Sequence, residues 1–221
     1  MVRGFFVTGT DTGIGKTVVS AALVMRLRNA GPIRYWKPIQ TGIEQDDDTA
    51  TVASLARCPA GELLTSGIRL RRPLSPHLAA RLSATAIDLG PLEDMFNEAA
   101  ASSHVVVEGA GGVLVPLNDI QLMTDLMSRL DLPAVIVSRS TLGTINHTLL
   151  TIEALQRRSI YVAGVVMVGP PNSDNRDAIV QYGSVPVLGE MPLFDRLTPD
   201  HLAAWTAAEF DRGNHLLEMM R

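Results

Sequence analysis

Short, uninterrupted apolar runs alternate along this chain with longer stretches in which apolar residues recur at helical spacing. Phe5-Phe6-Val7 is the first run and reads as a buried strand; it leads into a glycine-rich segment, Gly9 to Gly15. Val19, Leu23 and Leu27 then fall on one face of a helix predicted from Lys16 to about Ala30, and Gly31-Pro32 stops it. Ile33 to Lys37 is a second short strand closed by Pro38. The acidic triplet Asp46-Asp47-Asp48 opens a helix through Leu55, where carboxylates suit the first turn. Ser75-Pro76 begins another, with serine as cap and proline first, and a further helix spans about Pro91 to Ala101. The β-branched run His104 to Val107 is a strand that empties into Glu108-Gly109-Ala110-Gly111-Gly112. Ala134 to Val137 repeats that pattern, followed by a helix from Gly143 to Arg157. Tyr161 to Val168 and Pro186 to Gly189 complete the strands, while Glu62 to Arg72 reads clearly as neither helix nor strand.

Strands that are continuously apolar, and that alternate with helices, belong in a mostly parallel sheet covered on both faces. No fixed-period repeat, low-complexity tract or dividing linker interrupts the pattern, so a single α/β domain over residues 1–221 is expected. A chain of 221 residues buries a substantial core without disulfide or metal staples. The net charge of −4 gives no basic excess for a nucleic-acid partner, and no polybasic helix points to a membrane surface. No run approaches the roughly 18 apolar residues of a spanning helix, and Met1 to Val7 lacks the pattern of a secretory signal. A soluble, cytoplasmic protein is the expectation. The single cysteine, Cys58, fits a reducing compartment and reads as a packing residue near a helix end rather than a nucleophile.

The chemistry is announced by Gly9-Thr10-Asp11-Thr12-Gly13-Ile14-Gly15-Lys16-Thr17, which follows the first strand and opens the first helix. A phosphate loop needs glycine where backbone N–H groups turn around phosphate oxygens, a lysine that reaches the β- and γ-phosphates, and a hydroxyl for Mg²⁺. Gly15, Lys16 and Thr17 supply these, although the first glycine stands one residue earlier than the usual spacing. The fold class that follows is a P-loop NTPase sheet flanked by helices. Magnesium further asks for carboxylates. Glu108 stands at the end of a strand, where an open α/β sheet presents residues to a ligand, and the triplet offers Asp48, with Asp46 or Asp47 as alternatives.

Taken with Lys37-Pro38, Thr41-Gly42, Ser75-Pro76-His77, Gly143-Thr144-Ile145-Asn146-His147 and Gly189-Glu190-Met191-Pro192, these segments resemble the dethiobiotin synthetase family in order and spacing, from Phe6 to about Pro192. The shifted phosphate loop is what that family shows. The resemblance implies conversion of 7,8-diaminononanoate (7,8-diaminopelargonate), CO₂ and ATP into dethiobiotin, with Mg²⁺, by way of a carbamate and a mixed carbamic–phosphoric anhydride. It implies that Lys16 and Lys37 are catalytic, Lys37 pinning the carbamate. It also implies nucleotide binding by Thr12, Gly13, Gly15, Lys16, Thr17, Val18 and Pro192. Thr17, Asp48 and Glu108 take the metal-ligand positions. Thr12, Lys37, Thr41, Gly143, Thr144, Ile145 and Asn146 take those of substrate binding, the last four across a homodimer interface. His77 and His147 fall in first helical turns, where structural hydrogen bonding is the commoner role. Where the family often places an Asn-Asp pair that reads adenine, Val166-Met167-Val168-Gly169-Pro170 has no such side chains. Relaxed nucleotide selectivity is therefore expected, with backbone groups or residues near Pro192 to Phe194 holding the base.

Two other readings are weaker. Amidotransferase-type synthetases share the nucleotide half of this architecture but add a glutaminase domain that 221 residues do not accommodate. Partition and septum-positioning ATPases carry an early lysine in the phosphate loop, whereas positions 10 to 14 here are Thr, Asp, Thr, Gly and Ile.

Overall fold

The computed structural model describes residues 2–221. In chain order it runs β1 (Gly4–Gly9), α1 (Lys16–Leu27), β2 (Ile33–Trp36), β3 (Ile39–Thr41), α2 (Asp48–Leu55), β4 (Leu63–Leu64), β5 (Ile68–Leu70), α3 (Pro76–Leu82) and α4 (Leu89–Ala100). It continues through β6 (His104–Glu108), α5 (Met123–Leu130), β7 (Ala134–Arg139), α6 (Thr144–Gln156), β8 (Val162–Val168), α7 (Ser173–Gly183), β9 (Val187–Met191), α8 (Pro199–Ala208) and α9 (His215–Met219). Seven strands form one sheet in the order β4-β2-β6-β1-β7-β8-β9, and every pairing in it is parallel. β3 and β5 make a separate two-stranded parallel pair. The short β4 and β5, the latter one half of that pair, are what the ambiguous stretch from Glu62 to Arg72 becomes.

Because side chains alternate across a strand, the sheet divides the core in two. Phe5, Val7, Tyr35, Val106, Val135 and Val137 face α1, α2, α8 and α9, whose Leu23, Val52, Trp205 and Leu216 pack on them. Phe6, Trp36, Val105, Val107 and Ile136 face the opposite way, against Ala79, Phe96, Leu126, Leu155 and Ile179 of α3 to α7. Burial on both sides is why these strands read as continuous apolar runs rather than alternating ones.

β1 lies at the centre, and the chain leaves it toward β2 on one side and reaches β7 on the other. The crevice at such a reversal, beyond the carboxyl ends of the strands, is where doubly wound sheets bind ligands. The segment between β1 and α1 occupies it. Among the described residues no helix is long and apolar enough to cross a membrane.

Candidate active site

Gly13 and Gly15 shape the phosphate loop. Their φ angles of 68° and 96° lie in the left-handed region, which glycine enters without steric cost. Gly15 is the N-cap of α1, no side chain caps that helix, and its first turn carries no acidic residue. The leading N–H groups are thus left for an anion, with the helix dipole behind them. Lys16, at the first helical position, is buried and donates from Nζ to the Asp11 carbonyl at 2.8 Å. Burial, reinforced by the nearby charge of Lys37, lowers its pKa to about 8 against the partial opposition of Glu108, Asp48 and Asp11.

Three other elements deliver side chains to the same place. Thr17 Oγ1 lies 2.8 Å from Asp48 Oδ1 and 3.0 Å from Glu108 Oε1. Lys37, just past β2, sets Nζ 2.6 Å from Asp48 Oδ2 and 2.8 Å from Glu108 Oε1, and donates to the Gly109 carbonyl at 3.0 Å. Burial works to lower the pKa of Lys37, but the carboxylates of Glu108 and Asp48 outweigh it and hold it above the ordinary lysine value. The reciprocal balance lowers Asp48: burial opposes ionisation, and Lys37 with Thr17 overcomes it. The acidic triplet resolves by geometry. Asp47 caps α2 by accepting from the Ala50 N–H at 3.0 Å, the Asp46 carbonyl accepts from Gln40, and Asp48 is the member turned toward Thr17 and Lys37.

These groups line a cleft of about 870 Å³ that also takes in Thr12, Gly13, Gly15, Val18 and Thr41. Among the described residues no group of three or more His, Cys, Asp or Glu could hold a metal alone. One hydroxyl and two carboxylates are nonetheless hard oxygen donors of the kind Mg²⁺ uses when phosphates and water complete its shell, so the set fits that ion.

A second hollow of about 380 Å³ adjoins the first along Gly13, Gly15 and Val18. Its walls include Val168, Gly169, Pro170, Met191, Pro192 and Phe194, and among the described residues its only polar side chains are those of Arg139 and Thr141. Arg139 pairs with Asp11 of the phosphate loop at 3.1 Å. Gly143 to Asn146 lie at the start of α6 and line neither hollow. Thr144 is buried with its hydroxyl on the Arg139 carbonyl, whereas Gly143 and Asn146 are exposed. His77 and His147 both sit in first helical turns, and neither lines the cleft. Cys58 is half-buried beside Arg28 and Glu62, and burial pushes its thiol pKa up to about 11, away from nucleophilic use.

Sequence reasoning passed over Tyr35, whose hydroxyl donates to Glu108 Oε2 at 2.9 Å. The available signal was that a tyrosine inside an apolar strand needs a partner for its hydroxyl.

The AAA domain family matches residues 3–201. The chain is 50% identical over 202 residues to the ATP-dependent dethiobiotin synthetase BioD of Paramagnetospirillum magneticum, covering 91% of this chain and 94% of that one. Identity to the protein of the same name from Brucella ovis is 47% over 196 residues, 89% of each chain. It is 49% identical over 205 residues to the biotin biosynthesis bifunctional protein BioCD of Bordetella avium, spanning 92% of this chain but 42% of that longer protein. Among solved structures, a ParA family ATPase from Chlorobium tepidum superposes with a TM-score of 0.58 over 93% of this chain and 98% of its own, at 10% identity. MinD of Aquifex aeolicus gives 0.56 over 91% and 86% at 15% identity; at such identities the likeness concerns the fold alone. A phosphate loop without the early lysine, a lysine just past the second strand bound between two carboxylates, and about half of the aligned residues shared over about nine-tenths of the BioD relatives lead to one assignment: the chain belongs to the ATP-dependent dethiobiotin synthetase family.

Proposed function

We propose that this protein uses ATP to carboxylate and close 7,8-diaminononanoate into dethiobiotin, a step of biotin biosynthesis, within one P-loop α/β domain spanning residues 1–221. The observation that carries the reading is the meeting of Lys16, Lys37, Thr17, Asp48 and Glu108 in one cleft at the phosphate loop. Two anions, a carbamate and a triphosphate, must come to reacting distance there, and two ammonium groups lower the repulsion between them.

The chemistry runs in three steps. One amine of the substrate adds to CO₂, losing a proton to give the carbamate. A carbamate oxygen then attacks the γ-phosphorus, the bond to ADP breaks, and a carbamic–phosphoric anhydride forms. The second amine attacks the carbonyl carbon and loses a proton, and phosphate leaves as the ureido ring closes. Lys16 neutralises charge on the γ-phosphoryl oxygens. Lys37 holds the carbamate, and Thr12 and Thr41 contact the reacting end of the substrate from the cleft wall. Thr17, Asp48 and Glu108 would hold Mg²⁺, which supplies charge neutralisation at the β- and γ-phosphates. Gly13, Gly15, Val18 and Pro192 seat the nucleotide.

Gly143 to Asn146 lie outside their own chain's cleft, and the neighbouring Leu142 and Leu150 are exposed. Both observations support a homodimer in which the start of α6 offers N–H groups to the substrate carboxylate in the partner's site. Cytoplasmic residence fits the free thiol.

The test is one assay: protein, MgATP, bicarbonate and the diamine acid, with product mass and ATP consumption measured. Dethiobiotin should form, and ATP should be spent only when diamine and bicarbonate are both present. Lys37→Ala should abolish product while the thermal transition persists. ATP turnover indifferent to the diamine, or a largely active Lys37→Ala, would overturn the reading.

A further inference from the structure

Tyr35 takes no part in the chemistry above. Its ring is fully buried on the sheet face that packs against α1, among Leu23, Leu27 and Val106. β2 and β6 run parallel with Tyr35 opposite Val106, and Glu108 follows Val106 by two residues, on the same face. The phenol therefore extends along the sheet toward the carboxyl end of β6, where its hydroxyl donates to Glu108 Oε2 at 2.9 Å.

The two oxygens of Glu108 are divided between two environments. Oε2 turns inward to Tyr35, while Oε1 faces Thr17 Oγ1 at 3.0 Å and Lys37 Nζ at 2.8 Å. Glu108 is 1% exposed, so in this structure its Oε2 is satisfied by the phenol rather than by bulk solvent. The last torsion of a glutamate side chain is broad and nearly two-fold, and the Tyr35 hydroxyl on Oε2 fixes it from the side opposite Thr17 and Lys37.

We propose that Tyr35 is a positioning residue for the divalent cation, its hydroxyl fixing the Glu108 carboxylate so that Oε1 is presented alongside Thr17 and Asp48. This rests on the reading of Glu108 as a metal ligand. Partners that orient a ligating side chain typically influence metal affinity by about 10- to 100-fold.

The experiment uses Mn²⁺ as probe, its binding followed by electron paramagnetic resonance with a non-hydrolysable ATP analogue present and no diamine. Tyr35→Phe keeps the ring and deletes only the hydroxyl. It should weaken Mn²⁺ binding by about tenfold or more and leave metal-free nucleotide affinity unchanged. In turnover the apparent KM for Mg²⁺ should rise while kcat at saturating Mg²⁺ stays near that of the parent protein. Val106→Ala loosens the same core without touching the hydroxyl, so it should lower Tm and spare Mn²⁺ affinity. The proposal is overturned if Tyr35→Phe binds Mn²⁺ as the parent does, or if Val106→Ala weakens it equally. Failure of the parent protein itself to bind Mn²⁺ with nucleotide would instead remove the underlying metal-site reading.

Discussion

Lys16 and Lys37 carry the same charge into one cleft and are held differently. Burial and its neighbour depress Lys16, while Asp48 and Glu108 hold Lys37 firmly protonated. In the second hollow, where the base is expected, the telling residue is Gly169. Its φ of 136° lies where L side chains rarely fall, and a Cβ there would come 2.3 Å from Ser140 Oγ, so a side chain projecting from that position to read a base is disfavoured. The surrounding wall is apolar apart from Arg139 and Thr141. Rejecting a wrong base strongly requires a buried polar group left unpaired by it, and apolar contacts discriminate by only about 10- to 200-fold. Turnover with ATP, CTP and GTP at equal concentrations should accordingly fall within about that span. A preference for ATP of about 10⁴-fold would contradict this and call for a directed reader. The departure at Val166 to Pro170 was visible in the sequence. The steric reason for it was not, because Ser140 and Gly169 meet only through the packing of β7 against β8. Tyr35 was hidden for a similar reason: it reads as core, and the carboxylate it serves is 73 positions away.

At the scale of elements, α2 shows how three identical residues acquire separate roles from one helix start. Asp47→Ala removes the side chain that accepts from Ala50 N–H and should cost about 1 kcal/mol, the usual worth of such a cap. In a chain of this size that lowers Tm by about 2–4 °C, and kcat should hardly change. Asp48→Ala should do the reverse in kind, with kcat/KM falling at least about tenfold and Mg²⁺ dependence shifting, as expected for loss of a metal ligand. Calorimetry alongside Mg²⁺-dependent rates separates the two, and equal kinetic losses would mean that the assignment within the triplet is mistaken. The strands of the main sheet and the long helices were legible because both sheet faces are covered and the apolar runs are unbroken. β4 has two residues, too few to carry a period, and β3 pairs with β5 outside the main sheet. α7 buries only Ile179 and Gly183, so its apolar face is almost absent from the sequence. α8 and α9 complete the cover on α1 through Leu202, Trp205 and Leu216, contacts that no local pattern announces.

For the whole molecule, the proposed homodimer makes a sharper demand than a doubled mass. If α6 of one copy completes the site of the other, Lys37→Ala and Asn146→Asp impair different halves of a shared site. The aspartate would set a carboxylate where the substrate's own is to dock, while its charge suits the first turn of a helix and preserves the fold. Each variant alone should be nearly inactive. After dissociation and random reassociation of equal amounts, about a quarter of the sites should be intact, since half the dimers are mixed and each then has one complete site. Absence of recovery in a verified mixed dimer would place substrate binding within one chain.

The central place of β1 has a further consequence during synthesis. Its two sheet neighbours begin at His104 and Ala134, so a growing chain carries Phe5-Phe6-Val7 unpaired on both edges until residue 104 is reached, and on one edge until residue 134. Such non-local closure is slow and leaves a sticky apolar strand awaiting partners, the circumstance in which chaperones matter most. The strand that anchors the phosphate loop is therefore the one whose nascent form most needs shelter.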